Sequence, residues 1–126
     1  MWKLIDGLGR PVAERVARAD TFFARLVGLL GHRALAPEEG LWIEPCDSVH
    51  TFFMRFTIDV AFVDGAGVVI RKIDQLAPWR ATRIHSKARA CVELPAGVLA
   101  RKGVTEGSRL TLVRPDGVET VHMRGA

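Results

Sequence analysis

Nowhere in this chain of 126 residues is there an apolar run approaching the roughly 20 residues that a bilayer-spanning helix needs. The first residues, MWKLIDGLGRPVAE, hold neither the apolar core nor the small-residue cleavage site of a secretory leader. The expectation is a cytoplasmic protein without membrane association. Cysteine is scarce as well: Cys46 and Cys91 are the only two. In a reducing compartment they are expected as separate, partly buried thiols, and only an oxidising one would pair them. Internal repeats, low-complexity tracts, glycine-rich phosphate loops and paired-carboxylate motifs are also missing. What remains is one globular domain over residues 1–126, long enough to bury roughly two thirds of the surface its unfolded chain exposes.

Acidic residues are lacking in one particular place. Between Gln75 and Glu93 there is none, while Arg80, Arg83, Lys87 and Arg89 all lie there. The formal charge of the whole chain is +4, so this stretch alone could account for it. A local excess of that kind attracts anions, whether a phosphate, a carboxylate ligand or an acidic protein partner.

What is present is mostly period two. In the stretch LWIEPCDSVHTFFMRFTIDVAFVD, every even position from Phe52 to Phe62 is apolar, and the odd positions include Arg55, Thr57 and Asp59. Successive side chains of a strand point to opposite faces, so the pattern predicts a central strand with Met54 and its alternate neighbours inward and Arg55 and Asp59 outward. Asp64-Gly65-Ala66-Gly67 carries the residues of a tight hairpin into a returning strand from Val68 to about Gln75. Further strands are predicted at Trp2–Ile5, Val12–Ala19, Leu41–Ile43, Ala90–Leu94 and in a closing hairpin of 109–113 with 118–122. Asp20 or Thr21 can cap one short helix that Gly31 ends, and Pro95 can open a second that Gly103 ends. The fold class is therefore α+β and β-rich, an antiparallel sheet curled into a barrel or half-barrel with two short helices.

Gly28-Leu29-Leu30-Gly31, Gly40-Leu41-Trp42, Cys46, His50-Thr51-Phe52-Phe53-Met54, Ile58-Asp59-Val60-Ala61-Phe62 and Glu93-Leu94-Pro95-Ala96-Gly97 occur in one order along the chain. That arrangement, over about residues 13–113, resembles the prokaryotic domain-of-unknown-function family 192. The resemblance implies a compact β-rich α+β domain and assigns no activity. Many members of that family look like exported or lipid-anchored proteins with a leader, which this chain lacks. Where the family commonly shows Gly-Asp, this chain has Gly107-Ser108, so no role resting on an acid there carries over.

The candidate ligand-binding residues are His50, Thr51, Arg55 and Asp59 along the central strand, with His85, Ser86 and Lys87 in the basic loop. Arg55 could fork onto a carboxylate or phosphate. Asp59 lies roughly 13 Å further along the same strand face, too far to pair with it directly. Each of these has a plain structural alternative, in which it closes the sheet or sits on a solvated loop. Cys46, His50, His85 and Cys91 comprise a zinc-like donor set, but the spacings match no familiar finger, so no metal and no cofactor is assigned. Trp42 and Trp79 are assigned to the core, as large aromatics dominate burial.

The reading favoured by these features is a small non-catalytic binding or accessory domain with an anion-attracting pocket. One alternative is an enzyme of unassigned class, a hydrolase or transferase acting on an anionic substrate through His50 or Cys46. The other is weak nucleic-acid binding, which is disfavoured because the basic stretch carries only Trp79 as an aromatic and no stacking platform is visible.

Overall fold

The computed structural model describes residues 1–19 and 35–114. The helix predicted over 20–31 and the strand predicted over 118–122 lie outside those residues. Seven strands form one sheet: β1 (Trp2–Asp6), β2 (Pro11–Ala19), β3 (Glu39–Ile43), β4 (Ile58–Val63), β5 (Val69–Leu76), β6 (Ala90–Pro95) and β7 (Leu110–Val113). Their order across the sheet is β5-β4-β6-β3-β2-β1-β7. Among the described residues there is one short helix, α1 (Val98–Arg101). The β-rich half-barrel is therefore present, and the prediction of a helix from Pro95 is corrected. Pro95 is the last residue of β6, and a single helical turn starts only after Gly97, whose φ of 91° turns the chain off the sheet.

The sheet is not wholly antiparallel. β2 and β3 run parallel, with Val16 opposite Gly40 and Ala19 opposite Ile43. A parallel neighbour needs a long crossover, and residues 20–38 supply the length for one. The remaining pairs are antiparallel, including the predicted β4–β5 hairpin. Its turn is built as the sequence suggests: Asp64 Oδ1 accepts the Ala66 and Val68 amides at 2.9 and 3.0 Å.

The two edge strands meet. Val68 bridges Arg109, the Val69 amide donates to Ser108 O at 2.7 Å, and the Leu110 amide donates to Gly67 O at 2.8 Å. This seam requires glycine at 67. Its φ is 82°, and a Cβ there would stand 2.6 Å from Leu110 O, a backbone atom that cannot swing aside.

β4 differs from its prediction in two ways. It begins at Ile58, not at Phe52, and all six of its residues are buried. Ala61 and Val63 face a large cluster inside the barrel with Trp42, Val92, Leu94, Leu99 and Leu112. Ile58, Val60 and Phe62 face a second cluster on the outer side with Leu41, Ile43, Val49, Met54 and Cys91. The alternation thus separates two apolar surfaces, not core from water. Met54 is buried in the outer cluster, but Phe52 and Phe53 are exposed. The reason is local: Phe53 has φ 69°, so the chain reverses there and strand parity is lost.

Asp59 is consequently interior, with none of its surface exposed. Its Oδ1 accepts the Gln75 amide and its Oδ2 the Leu99 amide, both at 2.9 Å. Gln75 lies in a bulge of β5, with φ 56°, where one extra residue opposes β4. One carboxylate therefore joins β4, the β5 bulge and the start of α1.

A strap covers the outer cluster. Residues 44–57 and 77–89 cross it as antiparallel limbs that zip together: Cys46 N to Arg89 O at 3.1 Å, His85 N to Asp47 O at 2.8 Å, and Thr82 N to Val49 O at 2.9 Å. At one end Cys46 and Cys91 form a disulfide with a Cα separation of 5.7 Å. This corrects the expectation of two separate thiols. The Cys46–Arg89 hydrogen bond and the pairing of Ile43 with Cys91 bring the two cysteines together, which sequence separation alone does not reveal.

Three outcomes follow. Replacing Gly67 by Ala should lower the unfolding free energy by about 2 kcal/mol through forced positive φ and the seam clash, read as an earlier chemical denaturation midpoint. Asp59→Asn, which leaves one of the two amides it holds without an acceptor, should cost about 1–3 kcal/mol in the same measurement. The oxidised protein should show no free thiol on titration with a thiol reagent, and reduction should destabilise it by about 2–5 kcal/mol.

Candidate functional site

Thr51 holds the far end of the strap. It is fully buried; its amide donates to Arg80 O at 2.8 Å, and its carbonyl accepts the Trp79 and Met54 amides at 3.0 and 3.1 Å. Its hydroxyl donates to Ala77 O at 2.6 Å and accepts the Arg80 amide at 2.9 Å. One small side chain thus satisfies two backbone groups of the opposite limb. The limbs are locked at this point, and Thr51 is a positioning residue whose hydroxyl is already engaged.

The lock assembles an aromatic tip. Phe52 and Phe53 from one limb meet Trp79 from the other, with Phe53 62% and Trp79 57% exposed. His50 stacks on Phe52 with ring centroids 4.8 Å apart, and Phe52 lies 6.1 Å from Trp79; the interplanar angles are 30° and 28°. Phe53 tilts against Trp79 at 4.8 Å. His50 Nδ1 also accepts the Phe52 amide at 3.3 Å. The assignment of Trp79 to the core is thereby corrected, while Trp42 is buried in the barrel as expected. Trp79 has φ 63°, and that reversal lifts its indole off the sheet.

The second feature is a cleft of about 470 Å³ between β5 and the 77–89 limb, lined by Arg71, Ile73, Leu76, Thr82, Arg83 and His85 among others. Apolar side chains from β5 form one wall. The His85 imidazole rests against the Phe62 ring at 4.4 Å. Among the described residues no acidic side chain lines the cleft, although Arg71 reaches Glu106 at 3.8 Å. Burial pushes the His85 pKa below its usual value, and the Arg71 and Arg83 charges push it further down, against a smaller opposing effect of Asp47. At neutral pH the cleft therefore presents two guanidinium groups and a neutral imidazole over hydrocarbon.

The remaining candidates are scattered. Arg55 is exposed in the turn before β4, remote in role from the interior Asp59, whose oxygens are both occupied by backbone amides. Ser86 lines a separate hollow of about 440 Å³ beside the disulfide, with Pro45, Asp47 and Arg89. Lys87 is exposed. His50 and His85 thus belong to different features, and Cys46 has no thiol in the disulfide form. Among the described residues no cluster of three or more His, Cys, Asp or Glu side chains could hold a metal ion. No helix among them is long and apolar enough to cross a membrane.

Sequence reasoning missed Arg71 as a partner of His85, and it missed the tip. Arg71 pairs with Phe62 across β4 and β5, so a correct hairpin register could have placed it over the same face. No local signal brings Phe52 to Trp79.

Relatives agree with this architecture. A Thermococcus sibiricus UPF0127 protein is 34% identical over 99 residues, covering 72% of this chain and 61% of that protein; the chain thus spans less than two thirds of that relative. A UPF0127 protein of Pyrococcus furiosus is 32% identical over 108 residues, covering 81% of this chain and 90% of the relative. A crystal structure from Sinorhizobium meliloti 1021, described as a candidate transcription regulator, superposes with a TM-score of 0.70 at 25% identity, covering 86% of this chain and 89% of that one. A protein of unknown function from Novosphingobium aromaticivorans has the same fold, with a TM-score of 0.72 at 20% identity over 86% of this chain and 81% of its own. The family model described as Uncharacterized ACR, domain-of-unknown-function family 192, matches residues 5–112, and the chain belongs to that family.

Proposed function

We propose that this protein is a non-catalytic binding domain that holds a small anionic ligand in the cleft between β5 and the basic limb of the strap. The observation that carries the reading is the meeting of Arg71, Arg83 and His85 over an apolar wall, with no acidic lining residue among those described. Two guanidinium groups match the oxygens of a phosphate or carboxylate, and the hydrocarbon beside them strengthens each charge-assisted hydrogen bond by excluding water. His85 adds a titratable donor. The ligand seat is thereby moved from the central strand, where Asp59 is committed to backbone amides, to the neighbouring face.

A catalytic reading has less support. The thiol that would serve as nucleophile is consumed in the disulfide, and His50 is engaged with the Phe52 ring and amide. The disulfide also favours an oxidising compartment over the cytoplasm that the sequence suggested.

Calorimetric titration with inorganic phosphate and with citrate tests the reading. Arg83→Ala should weaken binding about tenfold or more, the loss that accompanies removal of one charged hydrogen-bond donor; unchanged affinity for both anions would sink the proposal. pH supplies a second test. The imidazole is kept neutral by burial and by the two arginines, and a bound anion reverses that preference, so protonation and binding favour each other. Affinity should therefore rise as pH falls from neutrality into the range below the ordinary imidazole pKa, and His85→Gln should flatten that dependence.

A further inference from the structure

The aromatic tip is separate from the anion cleft and has its own chemistry. The chain has only nine aromatic residues of the Phe and Trp type, and three of them stand together in water at one end of the strap. Three non-glycine residues among those described have positive φ: Phe53, Gln75 and Trp79. Gln75 is accounted for by its amide's bond to Asp59. The other two are bulky aromatics whose strained backbone serves to present rings outward, where they gain little burial.

The orientation of the rings narrows what they can meet. His50, Phe52 and Trp79 follow one another within about 30° of parallel, a short column of π faces capped by the tilted Phe53. Rings so arranged present π faces and edges, the surfaces on which flat aromatic ligands stack. Cations continue from the column along the same limb. Arg80 turns its guanidinium toward the carbonyls of Pro78 and Trp79, at 3.5 and 3.4 Å, and Arg83, Lys87 and Arg89 follow it, all exposed. No acid interrupts that limb between Gln75 and Glu93. Arg55 adds a further exposed cation from the facing limb.

We infer that the tip and its basic limb bind single-stranded nucleic acid without sequence preference, with bases stacking on Trp79 and Phe53 and phosphates following Arg80, Arg83 and Lys87. Stacking platforms beside a cationic track are how strands with unpaired bases are held, and every base offers a π face to them. The platform missing from the linear sequence is made in three dimensions, because Thr51 brings two limbs together. A duplex hides its base faces and should gain only the electrostatic part.

Arg83 belongs to both the limb and the cleft, so the decisive variants lie outside the cleft. Fluorescence anisotropy with labelled 12-nucleotide oligothymidine, oligouridine and a duplex of equal length reads the binding. Both single strands should bind more tightly than the duplex, with affinity falling steeply as salt rises. Trp79→Ala and Phe53→Ala should each weaken single-strand binding about tenfold, while phosphate affinity at the cleft stays unchanged. Bound oligonucleotide should also protect Trp79 fluorescence from iodide quenching. Thr51→Val, which removes only the locking hydroxyl, should weaken strand binding and raise the mobility of the Trp79 indole. Equal affinity of Trp79→Ala and the unchanged protein would overturn the inference. So would duplex binding as tight as single-strand binding, or co-sedimentation with phosphatidylserine vesicles in place of oligonucleotide binding.

Discussion

A carboxylate sealed from water must have its oxygens met by donors, and Asp59 meets that requirement with two backbone amides from two different elements. The geometry of the barrel's end depends on this. The Leu99 amide belongs to the start of the single helical turn, and the Gln75 amide to a residue with positive φ. Without that side chain the Leu99 amide would be orphaned in the interior and the Gln75 amide would lose its acceptor. The bulge at Gln75 in turn sets where β5 stops, and so where the basic limb of the strap begins. An acid that the alternating pattern suggests as a ligand contact acts one step earlier, by fixing the frame on which the outer surface is laid.

That surface carries two features separated along one pair of limbs. At the cleft, charge is concentrated over a low-dielectric wall, and Arg71, Arg83 and His85 converge from a strand and a loop. At the tip, rings are concentrated and charge lies to the side. The difference follows from the limbs' hydrogen bonding. Where the limbs lie over β4 and β5 their side chains fill a core, as Val49 and Met54 do; beside the buried Thr51, Phe53 and Trp79 instead face water. The disulfide at the opposite end confines the strap from the other side, so both limbs are anchored at their two extremities and need little regular secondary structure between.

Much of the strand framework was legible in the sequence because it is encoded locally. The Asp64–Gly67 hairpin and the returning strand after it carry turn residues whose backbone demands are strict, and β1, β2 and β6 lie where short strands are expected from the sequence. What was illegible is non-local or depends on a single dihedral. Alternation shows which side chains share a face of β4 but not that the opposite face is also covered, so Asp59 reads the same whether it meets solvent or Leu99. Phe52 continues the apolar parity of Phe62, yet the reversal at Phe53 ends the strand before it reaches that position. The parallel pairing of β2 with β3, the union of Cys46 with Cys91, and the company His85 keeps with Arg71 all join residues far apart in sequence. No window of a dozen residues contains that information.

The seam at Gly67 carries a final consequence. Sheets with two free borders invite a neighbouring copy to add its own strand, and proteins that stay single protect those borders. Here one border is stitched to the other where Val68 meets Arg109, and further along β5 the Lys72 ammonium and amide reach Val104 O and Glu106 Oε2. Along that stretch the backbone groups of the seam already have partners within the chain, which discourages fibril-like stacking of one molecule on the next.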